Sequence, residues 1–242
     1  MDHESAIQLR PDPAGRGNWG FHDAPIHPLE PRPASRFSVY GFARTAGRFV
    51  FFCTMRIHQL RPELAETPGG YVLALTHLGH LDPFCASVLI RRQIRWMTRK
   101  EFFCNAPARW VLRKLGAFSV NRQGIPVSAI RTAIDCAACG EAIGICPEGG
   151  RVMGSDAVIH GGQIKQGVCS IAIRAGVPVI PCVMLGTEDL SRVGPWLPFK
   201  RGRLRVAYGQ PVFPPPAPST RAKRHAFREQ LRAAFRALYR QL

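Results

Sequence analysis

No stretch of this 242-residue chain is apolar for long enough to cross a bilayer. Between Phe37 and Leu60 the longest unbroken apolar run is FVFFC, and Arg44, Arg48 and Arg56 interrupt the segment. A spanning helix needs about 20 mostly apolar residues. The N-terminus is polar and proline-rich, so it lacks the apolar stretch of a secretory signal. Acidic residues are scarce: 16 Asp plus Glu stand against 33 Lys plus Arg, a formal net charge of +17. That balance favours an anionic partner, whether nucleic acid, an anionic membrane, an acidic carrier protein or a phosphorylated substrate. Metal-type cysteine spacing is nearly missing as well. Of eight cysteines only Cys136-Ala-Ala-Cys139 has ligand spacing, without a second pair and inside an alanine-rich helical stretch. Cys53, Cys85, Cys104, Cys146, Cys169 and Cys182 are scattered through apolar segments, where a free thiol acts as a small hydrophobe. The cysteine usage reads as a reducing compartment with no metal. No internal repeat and no nucleic-acid motif accompanies the basic charge, and nucleic acid is not expected as a partner.

What is present is an alternation. From Tyr71 onward short apolar runs, YVLAL (71–75), QIRWMT (93–98), AFSV (117–120), AIGIC (142–146), PVIPCVML (178–185) and RLRVAYG (203–209), are separated by helical patterns at about 83–92, 101–115, 126–139 and 165–175. Strands joined by crossover helices give an α/β domain with a mostly parallel or mixed sheet flanked by helices. Residues 1–36 are rich in Pro, Gly and charge without periodicity, and are expected to be a poorly ordered tail. Residues 37–60 mix aromatics and arginines and read as one or two short helices, packed on the domain or lying in a headgroup layer. The domain thus runs from 37 to 210. A proline-rich linker from Pro211 leads to an amphipathic helix at 220–242, whose Phe227, Leu231, Phe235, Leu238 and Leu242 recur at helical steps beside Arg228, Arg232, Arg236 and Arg240.

In such sheets ligands bind beyond the carboxyl ends of the strands. Chemistry-bearing residues fall there repeatedly: His77 after YVLAL, Lys100 after QIRWMT, Asn121 and Arg122 after AFSV, and PEGGR (Pro147 to Arg151) after AIGIC. In THLGHLDPF, Asp82-Pro83 is a good helix start, with Asp as N-cap and Pro at the first helical position. A carboxylate is favoured at a helix N-terminus. Asp82 is therefore placed to accept from Nδ1–H of His77 and leave Nε2 as a general base. His80 reads as a surface or substrate-lining residue. In PEGGR the glycines let backbone amides approach an anion, and Arg151 can clamp phosphate through two parallel hydrogen bonds. Glu148 is unusual beside an anion, where it must hold the cations or bind a substrate hydroxyl.

Four blocks in order resemble the glycerolipid acyltransferases, the lysophosphatidate and glycerol-3-phosphate acyltransferases. HLGHLD (His77 to Asp82) is similar to their H-x4-D block, LGAFSVNR (Leu115 to Arg122) to the second, CPEGGR (Cys146 to Arg151) to the third, and VPVIPCVMLG (Val177 to Gly186) to the fourth. TRKEFF around Lys100 and IKQG around Lys165 stand where that family places lysines. The sequence departs from the family at Asn121, where Asp is usual, at Gly150, where Thr or Ser is common, and at Thr76 and Gly79, where Asn and Ser are frequent.

The resemblance implies transfer of an acyl group from acyl-CoA or acyl carrier protein to a lysophospholipid hydroxyl, most simply 1-acyl-glycerol-3-phosphate, in phospholipid biosynthesis. Other acceptors are another lysophospholipid or an ornithine-type lipid, and a transacylase drawing on intact phospholipid would use the same machinery. It makes His77 and Asp82 catalytic, assigns Lys100, Asn121, Arg122, Glu148, Gly149 and Arg151 to substrate binding, and requires no cofactor. Access to a lipid substrate then predicts a peripheral protein on the cytoplasmic face of an anionic membrane. Phe49, Phe51, Phe52 and Trp196 would insert shallowly, and the basic residues would face headgroups.

Overall fold

The structure, a computed structural model, describes residues 39–103, 105–120, 127–191 and 202–242. Helix α1 (Val39–Thr54) leads directly into strand β1 (Met55–Leu60), followed by β2 (Tyr71–Leu75), α2 (Asp82–Leu89), β3 (Ile94–Arg99), α3 (Ala106–Lys114), β4 (Phe118–Val120), α4 (Val127–Ala138), β5 (Ala142–Ile145), α5 (Gln166–Ala175), β6 (Val179–Leu185), β7 (Gly202–Tyr208) and α6 (Arg221–Tyr239). The seven strands form one sheet in the order β1-β7-β6-β2-β5-β3-β4. β2 pairs in parallel with β5 and β6, and β3 with β5 and β4. β7 runs antiparallel to β6 and parallel to β1, so these two strands point opposite to the other five. The fold is the α/β class anticipated, with a mixed, mostly parallel sheet between helices.

Residues 55–60 correct the helical reading of that segment. MRIHQL alternates, with Met55 buried, Ile57 half-buried, and Arg56 and His58 exposed. Period-two burial suits an edge strand with one wet face.

The central strand β2 is buried along its whole length. Its alternate side chains serve two cores. Val72 and Ala74 join Ile143, Val179 and Val183 under α4, α5 and α6, while Tyr71, Leu73 and Leu75 join Ile94, Trp96 and Val88 under α1 and α2. Helix α6 is capped by Thr220, whose hydroxyl accepts from Lys223 N–H, and buries Phe227, Leu231, Phe235 and Leu238. At about 1.5–3 kcal/mol for each large apolar side chain, that stripe accounts for its docking. The proline-rich segment before it is tied down at its start, since Val212 exchanges backbone hydrogen bonds with Val179.

Helix α1 packs on α2 at Gly47, where an added Cβ would lie 2.7 Å from Val88. Phe42 and Phe49 are exposed on its outer side. Phe51 corrects the membrane assignment: it is 1% exposed and sits edge-on against Phe84, ring centroids 6.0 Å apart, so the core already holds it. The Phe52 side chain and Trp196 lie outside what is described. Among the described residues no helix is long and apolar enough to cross a membrane.

Candidate active site

Because β2, β3, β4, β5 and β6 are mutually parallel, their carboxyl ends open on one edge of the sheet. Past Leu75, Thr76 keeps the chain in register with β6. Its N–H donates to the Cys182 carbonyl and its buried hydroxyl accepts from Met184 N–H. His77 follows, held by its backbone on both sides. Its N–H donates to Glu148 Oε2 at 3.1 Å, and its carbonyl accepts from Val152 N–H at 3.2 Å.

Ring Nδ1 lies 3.2 Å from Asp82 Oδ2, the imidazole 19% and the carboxylate 0% exposed. The same oxygen accepts from Gly79 N–H at 2.9 Å, and Oδ1 accepts from the Thr187 hydroxyl. Asp82 is therefore not the cap of α2. It is the first helical residue, Leu81 occupies the cap position without a side-chain bond, and both Asp82 oxygens are turned to the loop and to the end of β6. A fully buried carboxylate needs such donors, because an unpaired buried charge is strongly unfavourable. With Nδ1 held by Asp82, Nε2 is left to accept a proton, the arrangement of an oriented general base.

The PEGGR turn sits beside this pair. Glu148 is buried, with Oε1 accepting from Val158 N–H at 2.9 Å and Oε2 from His77 N–H. Burial pushes its pKa up, partly offset by those two amides. The side chain thus supports the His77 loop, which refines its assignment to substrate binding. Gly149 has φ +77°, and a Cβ there would press on the Lys165 stem at 3.3 Å. Exposed Arg151 donates from Nη1 to His80 Nε2 at 3.0 Å, so the third block and the first meet in the cleft. Lys100 begins a short 3-10 turn directly after β3, two strands from β2. Asn121 and Arg122 lie outside the described residues. Among the described residues no group of three or more His, Cys, Asp or Glu is disposed to hold a metal ion.

Thr187 was missed by sequence reasoning. It stands just past the fourth block, 2% exposed, 105 residues from the aspartate it touches. Its proximity explains Gly79, where an added Cβ would lie 2.6 Å from both the Thr187 carbonyl carbon and its hydroxyl.

Beside the start of α2 lies an apolar cavity of about 220 Å³, lined by Tyr40 and Ala43 of α1, Pro83 and Phe84 of α2, Trp96 of β3 and Leu112 of α3. Trp96 lies flat over Gly144 and donates from its indole to the Ser87 hydroxyl at 2.7 Å.

The sequence model of a family described as Acyltransferase matches residues 56–185. The 1-acyl-sn-glycerol-3-phosphate acyltransferase of Bacillus subtilis (strain 168) is 29% identical over 178 residues, covering 72% of this chain and 82% of that protein. The enzyme of the same description from Streptococcus pneumoniae (strain ATCC BAA-255 / R6) is 27% identical over 145 residues, 59% of this chain and half of that protein. Among solved structures, the 1-acyl-sn-glycerophosphate (LPA) acyltransferase PlsC from Thermotoga maritima superposes with a TM-score of 0.62 at 19% identity, covering 83% of this chain and 80% of that one. At that identity the likeness concerns the fold.

Proposed function

The chain belongs to the acyltransferase family, and on that premise we propose that it transfers a fatty acyl group from acyl-CoA or acyl carrier protein to the free hydroxyl of 1-acyl-glycerol-3-phosphate. The observation that carries this reading is the buried Asp82 carboxylate on His77 Nδ1 at the strand-end cleft. His77 Nε2 takes the proton of the acceptor hydroxyl as its oxygen attacks the thioester carbonyl. The tetrahedral intermediate collapses with loss of the thiolate, which takes the proton back from the imidazolium. The products are an ester and a free thiol, and the histidine returns to its starting state. Backbone amides at the cleft would stabilise the oxyanion.

The acceptor phosphate is assigned to Arg151, Arg122 and Lys100, with Gly149 and Asn121 shaping their surroundings. The acyl chain is assigned to the apolar cavity, which begins at Pro83, one residue from Asp82. Docking at an anionic membrane is assigned to the outer side of α1, where Phe42 and Phe49 are exposed near Arg48. On this reading the protein works peripherally, at the cytoplasmic face of a membrane.

Purified protein given acyl-CoA and lysophosphatidate should release thiol and form a diacyl product, while His77→Ala should fold and release neither. A near-normal rate from the variant overturns the base assignment. Product from another lyso-lipid alone moves the acceptor assignment without touching the base.

A further inference from the structure

The Asp82 carboxylate is held from two directions, and only one of them belongs to the histidine loop. Gly79 N–H and His77 Nδ1 both meet Oδ2, while Oδ1 is met by the Thr187 hydroxyl. We propose that Thr187 is a positioning residue of the transfer reaction. Its hydroxyl fixes the plane of the Asp82 carboxylate, so that Oδ2 faces His77 and the imidazole keeps its proton on Nδ1. The inference rests on the base role of His77 proposed above.

Three observations carry it. First, the torsion that turns a carboxylate about its last bond is soft and roughly twofold, so two donors on Oδ2 leave the plane free to tilt. The bond to Oδ1 is what closes that motion. Second, Thr187 is itself immobilised. It is buried, its carbonyl accepts from Leu190 N–H at 3.1 Å, and it follows Gly186, where the chain turns with φ +96° so close to β7 that a Cβ would lie 2.0 Å from the Arg203 carbonyl oxygen. Third, space has been cleared on the opposite side: only a glycine at 79 lets the hydroxyl approach, since a Cβ there would lie 2.6 Å from it. Gly186 thus lets the chain carrying Thr187 turn against β7, and Gly79 lets the hydroxyl reach the start of α2, while the end of β2 is tied to β6 separately, by Thr76 through Met184 N–H.

Free imidazole favours the tautomer protonated on Nε2, which cannot act as the base. Losing the hold on Asp82 therefore lowers the fraction of competent enzyme rather than substrate affinity. Removing the hydroxyl in Thr187→Val should reduce kcat by about 10- to 100-fold, the rate equivalent of one hydrogen bond to a charged group. KM for acyl-CoA and lysophosphatidate should stay within about twofold, and Thr187→Ser should restore most of the rate.

The tautomer is read without turnover, from the imidazole 15N shifts of uniformly labelled protein, with His77 assigned through His77→Ala. Wild type and Thr187→Ser should carry the proton on Nδ1, whereas Thr187→Val should carry it mainly on Nε2. Should Thr187→Val fail to fold, Thr187→Ala carries the same comparison. An unchanged tautomer in the variant lacking the hydroxyl overturns the inference, as does a Ser variant no better than Val. A His77→Ala enzyme with near-normal rate instead overturns the underlying reading, and the two failures are distinct.

Discussion

Asp82→Asn separates the charge of the buried carboxylate from its shape. An asparagine carbonyl oxygen can take the place of Oδ2, accepting from Gly79 N–H and His77 Nδ1–H, while its amide donates to Thr187, whose hydroxyl rotates to accept. Each buried group keeps at least one partner, although the Thr187 O–H hydrogen loses its acceptor, so the melting temperature should fall by no more than a few degrees. What disappears is the negative charge that faces the imidazolium as the acceptor proton is taken. The pair is 3.2 Å apart, and at an effective dielectric of about 20 unit charges at such a distance attract by about 5 kcal/mol. At 1.36 kcal/mol per tenfold in rate, the ceiling on the loss is about 10³- to 10⁴-fold. Steady-state thiol release should show that loss in kcat, with KM for both substrates close to wild type. Asp82→Ala is the contrast: Gly79 N–H and the Thr187 hydroxyl are left buried without an acceptor, at about 1–3 kcal/mol each, so this variant should also lose stability. Turnover of Asp82→Asn within about fivefold of wild type would refute the electrostatic role of Asp82, and equal melting of both variants would refute the accounting of its donors.

Three further outcomes follow from the packing. Burial raises the Glu148 pKa, so the folded state holds that proton more tightly than the unfolded chain; its contribution to stability is fully present below the ordinary glutamate range and is lost as pH rises through the raised value. The unfolding free energy of wild type minus that of Glu148→Gln should fall with rising pH in denaturant titrations, and a difference that grows with pH would count against it. Burial pushes the Cys85 and Cys136 thiols up to about 12 and Cys169 up to about 11, while Cys139 is exposed. Alkylation at about pH 8 should mark Cys139 first in mass spectrometry and reach the other three only on unfolding. In Gly144→Ala a Cβ would lie 2.4 Å from the Trp96 ring, forcing the indole off β5 into the cavity above it. The preferred acyl donor should then shorten, measured by competition among acyl-CoA chain lengths, and an unchanged preference would remove Trp96 from the chain pocket.

The strands most legible in the sequence were those buried on both faces, because continuous apolar runs such as YVLAL announce themselves whatever their neighbours. β1 was not legible. Arg56 and His58 interrupt it on the exposed side, and with an arginine-bearing helix just before it the segment reads as more helix. The reversal at β7 was also invisible, since strand direction is decided by pairing partners far away in sequence. In the site, His77 and Asp82 could be matched because only four residues of one loop separate them. The work of Glu148 and Thr187 could not, because each acts on that loop from 71 and 105 residues away through a single polar contact that leaves no periodicity. Asp82 illustrates the same limit: Asp-Pro before an apolar run is a sound helix start, yet burial gave its oxygens other donors.

The position of β1 constrains how the chain can be made. Among the described residues its only neighbour in the sheet is β7, paired in register from Met55 with Gly202 to Leu60 with Ala207. During synthesis β1 leaves the ribosome early and waits, its backbone groups solvated, until nearly 150 further residues have followed. α1, continuous with β1, waits with it, anchored through α2 and through the Tyr40 hydroxyl on the Arg92 carbonyl. Non-local pairings of this kind slow the last step of folding and leave an open strand edge available to other chains. Any truncation ahead of Gly202 would strip β6 of one partner and β1 of its sole partner. Nascent chains arrested before and after residue 208 should accordingly differ sharply in protease resistance at the α1–β1 junction.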